Sequence, residues 1–94
     1  MENQASPVNR LILLPQERGI GCQFDSHICM TRTFQHAFGK MASFLAITAV
    51  SQIRQERVAT SAGADFLQVL EYEHTRFWVI DDGEVVTILM PEDY

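Results

Sequence analysis

Between Arg76 and Met90 the chain offers apolar side chains to both sides of a single β-hairpin. Successive residues of a strand point to opposite faces. Phe77 and Val79 therefore face one way, and Trp78 and Ile80 the other. Beyond the turn, Val85, Thr87 and Leu89 oppose Val86, Ile88 and Met90 in the same manner. A sheet with one wet face alternates apolar with polar residues, and this one does not. One face can cover a helix, and the second needs a cover of its own, either the N-terminal segment or another chain. Asp82-Gly83 between the two runs readily supplies the positive φ angles of a tight hairpin turn. The strands expected are Phe66–Glu73, Arg76–Ile80 and Glu84–Met90, with His74-Thr75 joining the first two.

The helix that this sheet covers is legible upstream. Phe34, Phe38, Met41 and Leu45 follow the spacing of one helical face within a pattern running from about Phe34 to Val58. Phe44, Ile47 and Val50 widen that face until the middle is apolar nearly all round, which predicts a helix covered on more than one side. Gly39 lowers helical stability by about 1 kcal/mol relative to alanine and marks a place for a break or a close contact. Thr60-Ser61-Ala62-Gly63 reads as the helix stop. Upstream, Arg10–Leu14 reads as a short buried strand and Pro15–Gly19 as a turn. Ile20–Phe24 is a weaker returning strand, and Asp25–Thr33 is read as irregular. Residues 1–9 read as a flexible lead-in, and residues 10–94 as one domain. The fold class expected is α+β: a mainly antiparallel sheet of three to five strands packed on one long apolar helix, in the order β(β)-α-βββ.

Ninety-four residues with 47% apolar content can bury a core without an obligatory metal or disulfide. The formal charge of −5 is unevenly spread. Residues 65–94 hold eight of the twelve acidic residues against one cation, Arg76, a net of −7. This distribution argues against direct binding to nucleic acid, which needs a clustered cationic surface. The stretch MENQASPVNR is polar, and the longest apolar region, Met41–Val50, is far below the roughly 20 residues that span a bilayer. The expectation is a cytoplasmic chain without membrane contact, its two cysteines reduced.

Three constellations could carry chemistry. Cys22, His27, Cys29 and His36 are a chemically sufficient zinc set, but their spacing lacks the usual knuckle of two closely spaced cysteines. A cysteine or serine nucleophile lacks a recognised local signature, and Asp25-Ser26-His27 is contiguous where triads converge from separate segments. His74 and Arg76, with Glu71, Tyr72 and Glu73 beside them, could perform general acid–base work on a phosphodiester, the guanidinium stabilising developing charge.

The order of helix, antiparallel strands and a last hairpin reading RFWVIDDGEVVTILMP resembles the end of RelE/ParE-type toxins, over about a third of the chain. That resemblance implies a small ribonuclease-type toxin using His74 and Arg76. The sequence departs from it in charge, because such ribonucleases present basic RNA-binding surfaces where this third is acidic.

The favoured expectation is different: a small acidic, non-catalytic binding or inhibitory protein acting through protein–protein contacts. Antitoxins, immunity proteins and inhibitors encoded by phage or mobile elements act in this manner, some against nucleic-acid-binding host or defence proteins. The binding residues expected are Asp81, Asp82, Glu84, Glu92 and Asp93, displayed to a partner with a basic surface, together with Trp78. Neither a cofactor, a metal nor a catalytic residue is expected. Trp78, Ile80, Val86 and Ile88, or the opposite set, would form the second apolar surface, and a homodimer is its economical cover.

Overall fold

The β-branched runs of the C-terminal third become an antiparallel meander in a computed structural model that describes residues 11–16, 21–59 and 64–94. The lead-in and residues 60–63, read as the helix stop, lie outside the described residues. Strands β3 (Leu67–Tyr72), β4 (Thr75–Asp81) and β5 (Val85–Leu89) pair in sequence. Strand β1 (Leu11–Leu13) adds antiparallel to β3, and β2 (His27–Met30) adds parallel to β5. The result is a five-stranded sheet of order β1-β3-β4-β5-β2. The α+β class and the element order are those the sequence predicts, and the sheet is mixed, with one parallel ladder.

Both turns lie one residue away from their expected places. The β3–β4 connection is Glu73-His74, with φ of 50° and 69°. Positive φ at both central residues belongs to the type I′ turn, whose twist suits a hairpin but which favours Asn-Gly. At β4–β5 the Asp82 N–H donates to the Val85 carbonyl at 3.3 Å. Gly83 and Glu84 are therefore the central pair, with Gly83 at φ 96°, as a type II′ turn requires at its first central position. This turn pairs Trp78 with Leu89, Ile80 with Thr87 and Asp81 with Val86. Trp78 and Ile80 consequently share a face with Val85, Thr87 and Leu89. Val86 and Ile88 lie on the other face, so the grouping of Trp78 and Ile80 with them is corrected. A shift of one residue exchanges faces because the side-chain period is two.

The second strand is also displaced. Within Ile20–Phe24, Cys22 makes a single bridge to Ala64 and Phe24 turns at φ 53°. The strand forms instead at His27–Met30, inside the stretch read as irregular. Its partner, β5, is distant in sequence, so no local hairpin signal announces it. Ile28 and Met30 pack toward the core while His27 and Cys29 are exposed.

Helix α1 (Arg32–Phe38) starts at Thr31, whose Oγ1 accepts the Phe34 N–H at 3.2 Å. The helix breaks at Gly39, where φ is 54°, passes through a 3₁₀ turn over Gly39–Met41, and resumes as α2 (Ala42–Ile53). A π-helical turn over Arg54–Val58 follows. Leu45, Ala46, Ala49, Val50 and Ile53 are buried. Phe44 and Ile47 stand 50% and 62% exposed, so the helix is covered on one side, not on several as its composition predicts. The shortest extent of the molecule, 20 Å, is that of one helical layer on one sheet.

The core fills the space between these layers. Phe34 and Phe77 meet at a ring separation of 5.2 Å, and Phe38 lies 5.0 Å from Phe34 and 6.1 Å from Tyr72. Leu70, Val79, Val86 and Ile88 complete it from the sheet and are fully buried. Each such side chain stabilises the fold by about 1.5–3 kcal/mol.

The strained β3–β4 turn yields a test. His74 carries a Cβ in a left-handed conformation that glycine adopts without penalty. His74→Gly should therefore raise stability by about 1 kcal/mol, read as a higher urea midpoint with an unchanged slope.

Candidate functional site

Acidic residues gather at the free end of the β4–β5 hairpin, but their roles differ. Asp81 is buried at the last position of β4. Its Oδ2 accepts the Phe24 N–H at 3.0 Å and its Oδ1 accepts the Gly83 N–H at 2.9 Å. That carboxylate holds the chain together and is not displayed. Asp82 is exposed, and its Oδ1 accepts the Glu84 and Val85 N–H groups at 2.9 and 3.0 Å. These bonds, Val85's first, hold its carboxyl below the usual aspartate range. Glu84 projects from the turn.

Next to this tip the surface is concave. A depression of about 490 Å³ is lined by Cys22, Asp25, Phe66, Asp81, Asp82 and Gly83, among others. Phe66, 43% exposed, gives it one aromatic wall. Burial pushes the Cys22 thiol up from its ordinary pKa, and the negative charges of Asp81 and Asp65 push it further. The thiol therefore stays protonated and is a poor nucleophile. Asp25 belongs to this site, although the sequence reading did not include it. It lies far from the hairpin in the chain, and only the return of β2 alongside β5 brings it there.

Glu92, Asp93 and Trp78 belong to a different place. They lie at the far end of β5 from the tip, so the expected acidic display divides in two. Pro91–Asp93 form a 3₁₀ turn. Asp93 Oδ2 accepts the Met90 N–H at 2.9 Å and the Thr31 hydroxyl at 2.8 Å. The turn brings Tyr94 against Trp78, with ring centroids 5.4 Å apart. Glu92 is exposed beside them.

The third cluster forms where the sequence places it. Arg76 Nε lies 3.4 Å from Glu71 Oε1, and His74 Nδ1 lies 4.0 Å from Glu71 Oε2. The His74 side chain is fully exposed, so water competes with whatever these groups would bind. Cys22, His27, Cys29 and His36 do not converge. Among the described residues, no group of three or more His, Cys, Asp or Glu side chains is arranged to hold a metal ion.

One buried polar group escaped the sequence reading. Gln68 is fully buried on the helix side of β3. Its Oε1 accepts from Arg57 Nη1 at 2.7 Å, and its Nε2 donates to Gln16 Oε1 at 2.7 Å and to the Asp65 carbonyl at 3.0 Å. Arg57 Nη2 reaches the Leu14 carbonyl at 2.9 Å. The network joins the π turn to β3 and to the segment that follows β1. Its sequence signal is a glutamine on the same alternation as Leu70 and Tyr72.

Two predictions follow from the carboxylates. Asp81→Ala strands the buried Phe24 N–H and should cost about 2–4 kcal/mol in chemical denaturation, whereas Glu84→Gln should stay within about 0.5 kcal/mol. The bond from Met90, then that from Thr31, holds the Asp93 carboxyl below its ordinary value of 3.8. Because the folded value is the lower one, this contribution is complete above the ordinary value. It is lost as pH falls below 3.8 through the depressed value. Emission from the single tryptophan, Trp78, should shift to the red over that interval, and Asp93→Ala should show the red-shifted emission already at neutral pH.

No helix among the described residues is long and apolar enough to cross a membrane. Compared with protein-family models, with curated proteins and with solved structures, the chain matches none.

Proposed function

We propose that this chain is a non-catalytic binding or inhibitory protein that engages a basic surface of a protein partner through its hairpin tip. The observation that carries this reading is the depression beside the tip, where the exposed Asp25 and Asp82 flank a cavity walled on one side by Phe66, with the buried Asp81 beneath them. An arginine or lysine side chain suits such a space. Carboxylates attract its charge, and an aromatic ring accepts either the cation or the apolar stem. Glu84 and the exposed edge of Asp82 extend the negative field outward, which speeds encounter with a cationic surface and discriminates against acidic ones. A partner whose own task is to hold nucleic acid presents a surface of this kind, and occupying it would inhibit that partner. The reading includes a homodimer, with the tip left outside the contact between copies.

The test is affinity capture of a basic partner by the full chain, followed by neutralisation of the tip. Asp25→Asn, Asp82→Asn and Glu84→Gln together should weaken binding at least about tenfold, and raising salt to roughly 0.5 M should weaken the native complex similarly. Undiminished capture by the neutralised chain would mean that the tip is not the contact.

A second reading, a RelE/ParE-like ribonuclease, is favoured by one observation: Glu71 gathers His74 and Arg76 at one corner of the sheet. It requires that the purified chain cleave RNA and that His74→Ala abolish the cleavage. A chain inert toward RNA removes it.

A further inference from the structure

The sheet has one face beneath the helix and a second against which the C-terminal turn places Tyr94 at Trp78. Register aligns that outer face in rows. Val69 lies beside Trp78 and Trp78 beside Leu89, while Leu67 lies beside Ile80, Ile80 beside Thr87, and Thr87 beside Cys29. Ile12, 50% exposed, extends it onto β1. Leu67, Val69, Trp78, Ile80 and Val85 are each partly exposed. We propose that this face is the contact between two copies of the chain. The proposal deepens the homodimer of the reading above and rests on it only there, since it makes no use of the acidic tip.

Size is the first argument. Five strands at a spacing of about 4.8 Å, three to seven residues long and averaging five at 3.4 Å per residue, give a flat area of about 400 Å². With side-chain relief this amounts to roughly 600–800 Å² of accessible surface per copy. That approaches the roughly 800 Å² per partner of a standard stable interface. It reaches or exceeds the largest apolar patch of an ordinary monomer, roughly 300–600 Å².

Charge is the second argument. The chain carries −5, yet the acid load lies off this face. Asp82 and Glu84 are at the hairpin tip, and Glu92 and Asp93 are beyond the end of β5. Glu71 is the carboxylate on the face itself, and Arg76 accompanies it at 3.4 Å. Two copies can therefore meet with Glu92 and Asp93 at the rim beside Tyr94 and with no unpaired carboxylate within the rows of the face itself, which leaves a basic partner little to recognise there. A flat apolar sheet face is also complementary to itself under a two-fold axis, packing about 10 Å from its copy. Trp78 and the 79% exposed Tyr94 supply the aromatic anchors typical of such contacts. The helix offers less, because Phe44 and Ile47 stand among Lys40, Ser43 and Ser51.

Analytical ultracentrifugation of the full chain from about 1 to 200 µM decides the matter. A reversible dimer is expected, with Trp78 emission moving to the blue as it forms. Val69→Lys or Ile80→Lys should weaken association at least about tenfold while leaving the far-ultraviolet dichroism unchanged. Raising salt to roughly 0.5 M should leave the dimer intact although it weakens capture of a basic partner, so the two readings fail separately. A chain that stays monomeric throughout overturns the proposal. So does a dimer that Ile47→Lys splits and Val69→Lys does not. Should the lysine variants misfold, the native chain still decides: Trp78 emission that stays constant across the monomer–dimer transition overturns the assignment of this face.

Discussion

The bond between the Asp81 carboxylate and the Phe24 N–H carries the topology. It joins residues 57 positions apart, in the buried zone where the chain must turn to enter β2. Phe24 sits there fully buried in a left-handed conformation, which an aromatic residue adopts only when its surroundings enforce it. The other oxygen of Asp81 sets the start of the β4–β5 turn through Gly83. One side chain therefore fixes both the hairpin register and the entry of the strand that lies parallel to β5. Without that acceptor, Phe24 would keep its strain and lose its compensation.

Thr31 does the equivalent work at the other end of β2. Its N–H donates to Ile88 at 3.0 Å, its hydroxyl caps α1, and the same hydroxyl donates to Asp93. Strand, helix and C-terminal turn meet at this residue. Three of the acidic residues that a sequence reading assigns to display, Asp81, Asp82 and Asp93, thus accept hydrogen bonds from the chain itself, and of these only Asp81 is buried. The carboxylates left outward at the tip are Asp82 and Glu84, and Asp25 joins them from the opposite side of the depression.

The molecule separates its chemistry by location. Acid is concentrated at the hairpin tip and the C-terminal turn, while the two faces of the sheet are apolar. The basic partner and the second copy proposed above would therefore make no competing demands on the same atoms. The Gln68 network belongs to neither surface. It satisfies polar groups where the π turn, β3 and the segment that follows β1 close the core, and leaving any member unpaired there would be costly.

How much could be read in advance follows from the range of each interaction. Alternation of β-branched and aromatic residues over 66–90 determined the three C-terminal strands, because side-chain period is a local property. The 4-3-4 apolar spacing determined the helix, and Gly39 marked a place for a break or a close contact, of which the structure shows the break. The cluster of Glu71, His74 and Arg76 was also visible, since adjacent strands joined by a two-residue turn must place such residues together. Turn placement was not, because Glu73 and His74 accept positive φ against their own preference and Gly83 serves as the first central residue instead of the second. Strand β2 was hidden for another reason: a parallel edge strand needs a partner far along the chain, and its four residues carry no hairpin signal. The sequence by itself determined which segments are apolar and where the charge lies. Only the tertiary structure decided which carboxylates are consumed internally and which face of the sheet lies beneath the helix, because both depend on backbone groups that distant residues bring within hydrogen-bonding distance.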